Sequence, residues 1–348
     1  MKINTLLSPL SQQIIATLAY SDVFDYPLNV NEIYLAVNYL TTKENIKQEL
    51  TTLVSQKLVF SSNNFADNFI DYQTDYQTDN QTDSQENNEI TTWFSLQNNE
   101  NIFIKRKIRN DKAKIFLERA KKISQIIGKM PFVRSVMISG SLSKNCIDDT
   151  SDIDYFIITA PQKVWIVHSL LVFYRKFFLK NKKELCCNYT IDTLSLEMKH
   201  RTKYVATEIT TVLPTFGQEI YHEFIKNNDW VKTFFPHFVL KENENKTNHL
   251  KASFWSNLLK KSIEKCLNNA IGTYLNLFLM RRVEKRWRKF HKDNALFVEE
   301  IISLTPNVAK GHGIRYHESI MTAFEDKIKQ FEEKNSLVIS LPIYHKAV

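Results

Sequence analysis

The first part of the chain alternates between helical and strand patterns of apolar residues. Residues 11 to 57 place apolar residues at helical spacing and divide into three predicted helices, the second and third of which begin at "NVNE" and "TTKE". In both tetrapeptides a residue that favours helix caps stands three positions before a glutamate. Two short β-prone runs follow, "KLVFSS" and "EITTWFSL", and the pattern predicts that they pair as a hairpin.

A segment of low complexity separates these two strand runs. It reads "DYQTDYQTDNQTDSQENN", a four-residue repeat that is acidic and contains almost no aliphatic side chain. Such a sequence buries too little apolar surface to offset the entropy lost on ordering, so residues 71 to 88 are predicted to be disordered. Three helices and a β-hairpin are the parts of a winged helix, with this insert at the tip of the wing.

The pattern after residue 100 changes first to a long helix and then to alternating strands and helices. A basic amphipathic helix is predicted over residues 101 to 130. "FVRSVMIS" and "DIDYFIITA" follow as two β-rich runs, the first of which ends at Gly140. A helix over about residues 163 to 181 then leads to a third β-prone run, "ELCCNYTIDTLSL".

The remainder of the chain, from residue 216 onward, has the pattern of helices. Its longest apolar segment lacks proline and contains one glycine, Gly272. The sequence therefore predicts an α+β protein. Its predicted parts are a winged-helix domain at 1–100, a linking helix at 101–130, a domain with a mixed sheet and helices at 131–215, and a mostly helical region at 216–348.

Composition and charge limit the functional classes without selecting one. The 348 residues include 46 Lys plus Arg against 38 Asp plus Glu, a net charge of +8 that suits anionic partners such as nucleotides. The four cysteines have no spacing typical of a disulfide framework or a zinc site. Neither a signal peptide nor a membrane-spanning segment is predicted, so we expect a cytoplasmic protein with no membrane partner.

The chemistry of the chain is concentrated in residues 139 to 154, "SGSLSKNCIDDTSDID". Residues two apart on a strand point to the same face, so Asp152 and Asp154 are expected to project together. Two neighbouring carboxylates repel each other unless a cation joins them, and Mg²⁺ prefers such oxygen ligands, completed by water and substrate phosphate. Gly140 permits a close approach of the backbone, and Ser141 can cap a helix or donate to a phosphate oxygen.

The order strand, Gly-Ser, short helix, Asp-x-Asp strand resembles the signature of the polymerase-β-like nucleotidyltransferase superfamily over about residues 131 to 195. Other segments, including "LAYSDVFDYPL" and "CCNYTIDTLSLE", look like those of an uncharacterised bacterial family in which a winged helix precedes a nucleotidyltransferase domain. The resemblance implies a nucleoside triphosphate as substrate and Mg²⁺ as cofactor. It also implies phosphate contacts from Ser141, with Ser143 or Lys144 assisting.

Members of this superfamily usually carry a third acidic residue on the next strand. The third β-prone run offers Glu184, Asn188 and Asp192, which are all of one parity. Asp192 is the predicted third metal ligand. If Asn188 occupies that position instead, the site has one negative charge fewer and binds metal more weakly.

The sequence thus predicts a Mg²⁺-dependent enzyme that moves a nucleoside monophosphate from a triphosphate to an acceptor hydroxyl and releases pyrophosphate. The acceptor class, whether small molecule, protein or RNA, stays open. The alternative is a regulatory or nucleic-acid-binding protein with a degenerate transferase fold. For nucleic acid, the relevant surface is the third helix, whose predicted exposed residues carry little net positive charge: Lys43, Glu44, Lys47, Gln48 and Thr51.

Overall fold

The computed structural model of the chain describes six stretches: 7–65, 91–180, 183–240, 254–290, 304–310 and 314–340. The predicted disordered insert, 71–88, lies outside them. The chain divides into two compact units, the first formed within residues 1–108, 232–238 and 320–348, and the second within 109–231 and 239–319. Among the described helices, none combines the length and the apolar character needed to cross a lipid bilayer.

The first unit contains helices packed with a small antiparallel sheet. Its elements before residue 100 are α1 (Pro9–Asp22), β1 (Leu28–Asn29), α2 (Val30–Ala36), α3 (Lys43–Ser55), β2 (Phe60–Ser61) and β3 (Trp93–Ser95). The strands lie in the order β1-β3-β2. The predicted hairpin is confirmed, because β2 and β3 pair antiparallel with Phe60 opposite Ser95. The two-residue strand β1 was not predicted from the sequence.

Capping residues fix where the short helices of this unit begin. Asn29 and Glu32 form a complete capping box at the start of α2, as "NVNE" predicts. In "TTKE" the cap is Thr42, whose hydroxyl accepts from the backbone N–H of Asn45. The α3 residues that the sequence placed on the surface are all exposed: Lys43, Glu44, Lys47, Gln48 and Thr51.

The second unit is built on a five-stranded sheet with helices. Its strands are β4 (Val133–Ser139), β5 (Asp154–Thr159), β6 (Cys186–Asp192), β7 (Leu213–Phe216) and β8 (Val308–Lys310). Its helices are α5 (Val164–Phe177), α6 (Lys203–Thr211), α7 (Gln218–Asn227), α8 (Phe254–Leu267) and α9 (Ala270–Phe290). Two long helices contribute residues to both units: α4 (Glu100–Gly128) and α10 (Ile314–Asn335).

The larger sheet is mixed, with the order β7-β4-β5-β6-β8. Strands β5 and β6 are parallel, and every other neighbouring pair is antiparallel. The α+β class with a mixed sheet is therefore confirmed, and the strand before Gly140 lies beside β5 as predicted. The prediction that this neighbouring strand carries both Asp152 and Asp154 is wrong for Asp152, because β5 begins at Asp154. Strand β8 comes from the region that was predicted to be mostly helical.

The two faces of this sheet have different surroundings. One face packs against the apolar sides of α4 and α5, where Ile127, Tyr155 and Val167 belong to a single buried cluster. On the other face the ring of Phe156 stacks on Tyr189, with centroids 5.1 Å apart, and contacts Phe224 of α7. Because side chains alternate along a strand, Asp154 lies on the same face as Phe156. The second face therefore carries the carboxylate that the sequence marked as a candidate site residue.

Candidate functional site

The candidate site lies where β4 ends and β5 begins. Ser139, the last residue of β4, is paired directly with Asp154, the first residue of β5. Gly140 follows with φ +67°, a conformation that L side chains rarely adopt. A Cβ atom at this position would fall on Oδ2 of Asp154. Glycine is thus required both by the turn and by the close approach of the Asp154 carboxylate.

Burial dominates the electrostatics of Asp154. It raises the pKa of the carboxyl to about 6, and the charges of Glu208 and Asp152 act in the same direction. The Cys186 thiol, which forms a side-chain hydrogen bond with this carboxyl, and the charge of Lys144 both act to lower the pKa. The structure therefore holds a half-buried carboxylate among further acids, an arrangement in which a cation restores the ionised form.

Asp152 differs from Asp154 in position and exposure. Strand β5 begins at Asp154, so Asp152 lies in the preceding loop, where its side chain is exposed. The two residues are separated by Ile153, which is fully buried. The charge of Asp152 therefore acts on Asp154, but the Asp154 carboxylate is partly buried whereas that of Asp152 is exposed to solvent.

The predicted phosphate-binding residues are mostly engaged within their own turn. The Ser143 hydroxyl donates to the carbonyl of Gly140 at 2.8 Å, and Lys144 Nζ donates to the same carbonyl at 3.0 Å. Lys144 also forms an ion pair with Glu208 at 3.0 Å. The Ser141 side chain makes no capping hydrogen bond and is partly exposed. Of the three, Ser141 has its side chain most available to a ligand.

Glu208, on helix α6, is a site residue that the sequence reasoning missed. Its carboxylate is half-buried beside Lys144, and its charge raises the pKa of Asp154. No local motif marks this residue, because it reaches the site only when α6 packs across the second face of the sheet. A third carboxylate is therefore present near Asp154, though on a helix and not on a strand.

The structure does not bring Asp192, the predicted third ligand, to this site. In the parallel register of β5 and β6, Asp154 pairs with Cys186, whereas Asp192 pairs with Thr159 at the opposite end. Five residues of strand place Asp192 about 16 Å further along the sheet. Its fully buried carboxylate accepts from the backbone N–H groups of Gln162 and Leu194 at 2.7 and 3.1 Å. Asp192 therefore stabilises two turns.

The other two alternatives on this strand also differ in location. The charge of Glu184 acts on Tyr155 and Tyr174, and Tyr155 belongs to the buried cluster on the helix-covered face. Asn188 lies at a register irregularity of β6 and lines a cavity on the second face. The residue beside Asp154 is Cys186, and burial raises the pKa of its thiol to about 12. At neutral pH this position thus carries no charge.

A cavity of about 730 Å³ extends over the second face of the sheet. Ser139 and Glu208 line one end, and Leu194 and Thr305 line the other. Its further polar lining comes from Asn188, Gln162, Ser195, Glu197, Lys199, His200, Tyr204, Lys310 and His317. This volume is in the range of small-molecule sites. Asp154 itself does not line the cavity, which reaches its strand partner Ser139.

The oxygen donors of the site suit a hard divalent cation. In the described part of the chain, no three His, Cys, Asp or Glu side chains converge as a ready metal centre. Mg²⁺ is commonly held by one or two carboxylates, and water and phosphate oxygens complete its coordination. Asp154 and the exposed Asp152 can supply the carboxylates. The partly buried Asp154 carboxylate, set among other acids, fits such an ion.

Comparison of the chain with protein-family models, with curated proteins and with solved structures finds no match. The resemblance in the sequence motif therefore stays a prediction.

Proposed function

We propose that this protein is a Mg²⁺-dependent nucleotidyltransferase that moves a nucleoside monophosphate from a nucleoside triphosphate to an acceptor hydroxyl. The observation that carries the proposal is the junction of β4 and β5, where Gly140 leaves room for the carboxylate of Asp154 beside a cavity of nucleotide size. In the reaction the acceptor oxygen forms a bond to the α-phosphorus while the bond from that phosphorus to the bridging oxygen breaks. Pyrophosphate leaves, and the hydroxyl proton passes to a base.

Each residue of the site has a defined part in this proposal. Asp152 and Asp154 hold Mg²⁺, which when bound neutralises phosphate charge and orients the triphosphate. Gly140 leaves room for the Asp154 carboxylate, and Ser141 donates to a phosphate oxygen. The third acidic position, predicted from the sequence to be Asp192, is assigned to Glu208, because Glu208 lines the cavity and its charge raises the pKa of Asp154.

The experiment follows an α-labelled nucleoside triphosphate incubated with the full chain, Mg²⁺ and separate small-molecule, protein and RNA fractions of a cell extract. Wild type is expected to label one fraction and release pyrophosphate, and Asp154→Asn is expected to do neither. Asp111→Asn is the matched control, since it makes the same change at an exposed carboxylate of α4 that pairs with Lys114. Equal labelling by wild type and Asp154→Asn would refute the proposal.

A specific observation favours the alternative of a nucleotide-binding protein without turnover. The strand position next to Asp154 is a neutral cysteine, and Glu208 is paired with Lys144, so the charge available to a metal is low. This alternative expects that Mg²⁺ and nucleotide together raise the unfolding temperature while no fraction becomes labelled. The same two measurements therefore separate the two functions.

For the first unit we propose a winged-helix fold. Support comes from the chain order α1, β1, α2, α3, β2, β3 and from the antiparallel sheet order β1-β3-β2. The exposed face of α3 presents Lys43 and Lys47 together with Glu44, a weak positive surface for phosphate. Nucleic acid stays a secondary proposal, tested by binding of duplex DNA to wild type and Lys47→Glu at two salt concentrations.

A further inference from the structure

The cavity carries a group of basic side chains on the strands and segments beyond Asp154. Lys199 and His200 come from the segment after β6, and Lys310 is the last residue of β8. Lys310 pairs directly with Tyr189, whose ring stacks on Phe156. Directly paired side chains lie on one face of a sheet, so Lys310 stands on the same face as Asp154.

The acids that line the cavity are already paired with other cations. Glu197 accepts from Arg201 at 2.8 Å, and Glu208 accepts from Lys144 at 3.0 Å. Within the described ranges, no carboxylate lies within ion-pair distance of Lys199, His200 or Lys310. The remaining titratable lining is Tyr189, Tyr204 and His317, the last two with rings 4.4 Å apart. Lys199 and Lys310 thus give the cavity a positive charge that suits an anion, whereas His200, whose pKa lies below its ordinary value of 6.5, is mostly neutral at pH 7 and offers a hydrogen bond.

Burial makes this positive charge costly without a ligand. It lowers the pKa of Lys310, and it lowers the pKa of His200 together with the charges of Lys310 and Lys199. A bound anion opposes both effects, because it stabilises the protonated forms. An anion bound beside Lys199 and Lys310 is therefore stabilised by both charges.

The opposite end of the cavity offers a second polar group. Ser139 is 5% exposed, lines the cavity, and is paired with Asp154. Its hydroxyl has no hydrogen-bond partner among the described residues. A buried hydroxyl without a partner is unfavourable, so this atom is available to a ligand in the cavity. Ser143 and Lys144 are engaged instead with the carbonyl of Gly140.

The geometry of the sheet relates these two ends. Lys310 lies two strands away from Asp154, at about 4.8 Å per strand, and about two residues along it. The two Cα atoms are then about 12 Å apart, with side chains on one face. A chain of phosphate groups can bridge that separation, with one end at the aspartate and the other at the ammonium group.

We propose that the cavity binds the polyphosphate chain of a nucleoside triphosphate lengthwise, with the α-phosphate beside Asp154 and Ser139 and the terminal phosphates on Lys310, Lys199 and His200. The inference rests on the proposed function and names which residues hold the pyrophosphate that leaves. The main phosphate contacts then come from the segment after β6 and from the edge strand β8, and not from the turn after Gly140.

The test is calorimetric titration of the full chain with inorganic triphosphate, without Mg²⁺, and with a nucleoside triphosphate whose α,β-bridge cannot be cleaved. Lys310→Gln is expected to weaken both affinities about tenfold or more, since a charge-assisted hydrogen bond contributes about 1.5–3 kcal/mol. Affinity for the nucleoside monophosphate is expected to stay unchanged. Lys261→Gln, at an exposed lysine of α8, is the control. If Lys310→Gln unfolds, the double variant Lys199→Gln/His200→Gln, in an exposed segment, makes the same test.

The results separate this inference from the proposed function. Undiminished triphosphate binding by the folded variants, or no binding by wild type, overturns the inference, even if Asp154→Asn still abolishes transfer. The converse result is a wild type that binds triphosphate more tightly than Lys310→Gln does and yet labels no acceptor. That result supports the polyphosphate site and overturns the proposed transferase activity. Loss of monophosphate affinity in Lys310→Gln to the same extent as triphosphate affinity would also count against a contact with the terminal phosphates.

Discussion

Replacing Asp154 by asparagine is expected to stabilise the protein in the absence of metal, although it removes a site residue. Burial is the largest cause that raises the pKa of this carboxyl from 3.8 to about 6. A raised pKa means that the ionised form is held less well by the folded state than by the unfolded chain. Asparagine keeps the shape and an acceptor for the Cys186 thiol while removing the charge.

The magnitude follows from the pKa change. One pKa unit corresponds to about 1.36 kcal/mol, so ionised Asp154 costs the folded state at most about 3 kcal/mol. Partial exposure of the side chain reduces this, and we expect a gain of about 2 kcal/mol at pH 7.5. For a unit of this size, that corresponds to an increase of roughly 4–8 °C in the unfolding temperature.

The direction of the pH dependence is fixed by the same reasoning. Between pH 3.8 and about 6 the folded state binds more protons at Asp154 than the unfolded chain, so this residue makes wild type less stable as the pH rises. The advantage of Asp154→Asn is therefore nearly absent at pH 4 and complete above pH 7. Urea unfolding at both pH values, with Asp111→Asn as control, measures it.

Two outcomes would refute this account. If Asp154→Asn destabilises the metal-free protein at pH 7.5, the ionised carboxylate stabilises the fold through contacts that outweigh the cost of its burial. If the variant is more stable than wild type by the same amount at pH 4 and pH 7.5, ionisation of Asp154 is not the cause. Addition of Mg²⁺ with nucleotide should reverse the order of stability, since only wild type keeps both carboxylates for the ion.

Three further substitutions test other parts of the second unit, each by urea unfolding. Gly140→Ala places a Cβ on the Asp154 carboxylate at φ +67° and should cost about 1–2 kcal/mol or more, with a smaller cost in combination with Asp154→Ala. Asp192→Ala should cost about 1–3 kcal/mol and leave triphosphate affinity unchanged, because it leaves the backbone N–H groups of Gln162 and Leu194 without their acceptor, away from Asp154. Asn276→Ala should cost about 2–4 kcal/mol, since the fully buried amide accepts from the N–H groups of Trp165 and Ile166 and donates to a carbonyl.

The long elements could be predicted from the sequence because each carries its own pattern. Strands β4, β5 and β6 are runs of β-prone residues, and α4 is a long amphipathic helix, so their existence and order follow from local sequence. Strand β7 contains a proline and β8 has three residues, and such short edge strands carry no distinctive pattern. They form because β4 and β6 have unpaired edges that need partners.

Only the part of the candidate site that is formed by residues close in sequence could be predicted. Gly140 and Asp154 are brought together by one turn between adjacent strands, which sequence order already indicates. Parity along β6 was a poor guide, because the register irregularity at Asn188 breaks the alternation and Glu184 precedes the strand. The parallel register also places Asp192 opposite Thr159, far from Asp154. Glu208 and Lys310 reach the cavity from distant parts of the chain through packing, which no spacing reports.

The edge strand β8 ties completion of the larger sheet to residues made long after its central strands. Synthesis proceeds from the N-terminus, and residues 308–310 leave the ribosome long after β4, β5 and β6. Until then the nascent sheet has an open β6 edge and lacks Lys310. Helix α10 extends this dependence to the first unit, where Phe324 contacts Tyr20 of α1 with ring centroids 5.9 Å apart. A nascent chain that ends before residue 308 therefore lacks β8 of the second unit and also lacks α10, which contributes residues to both units.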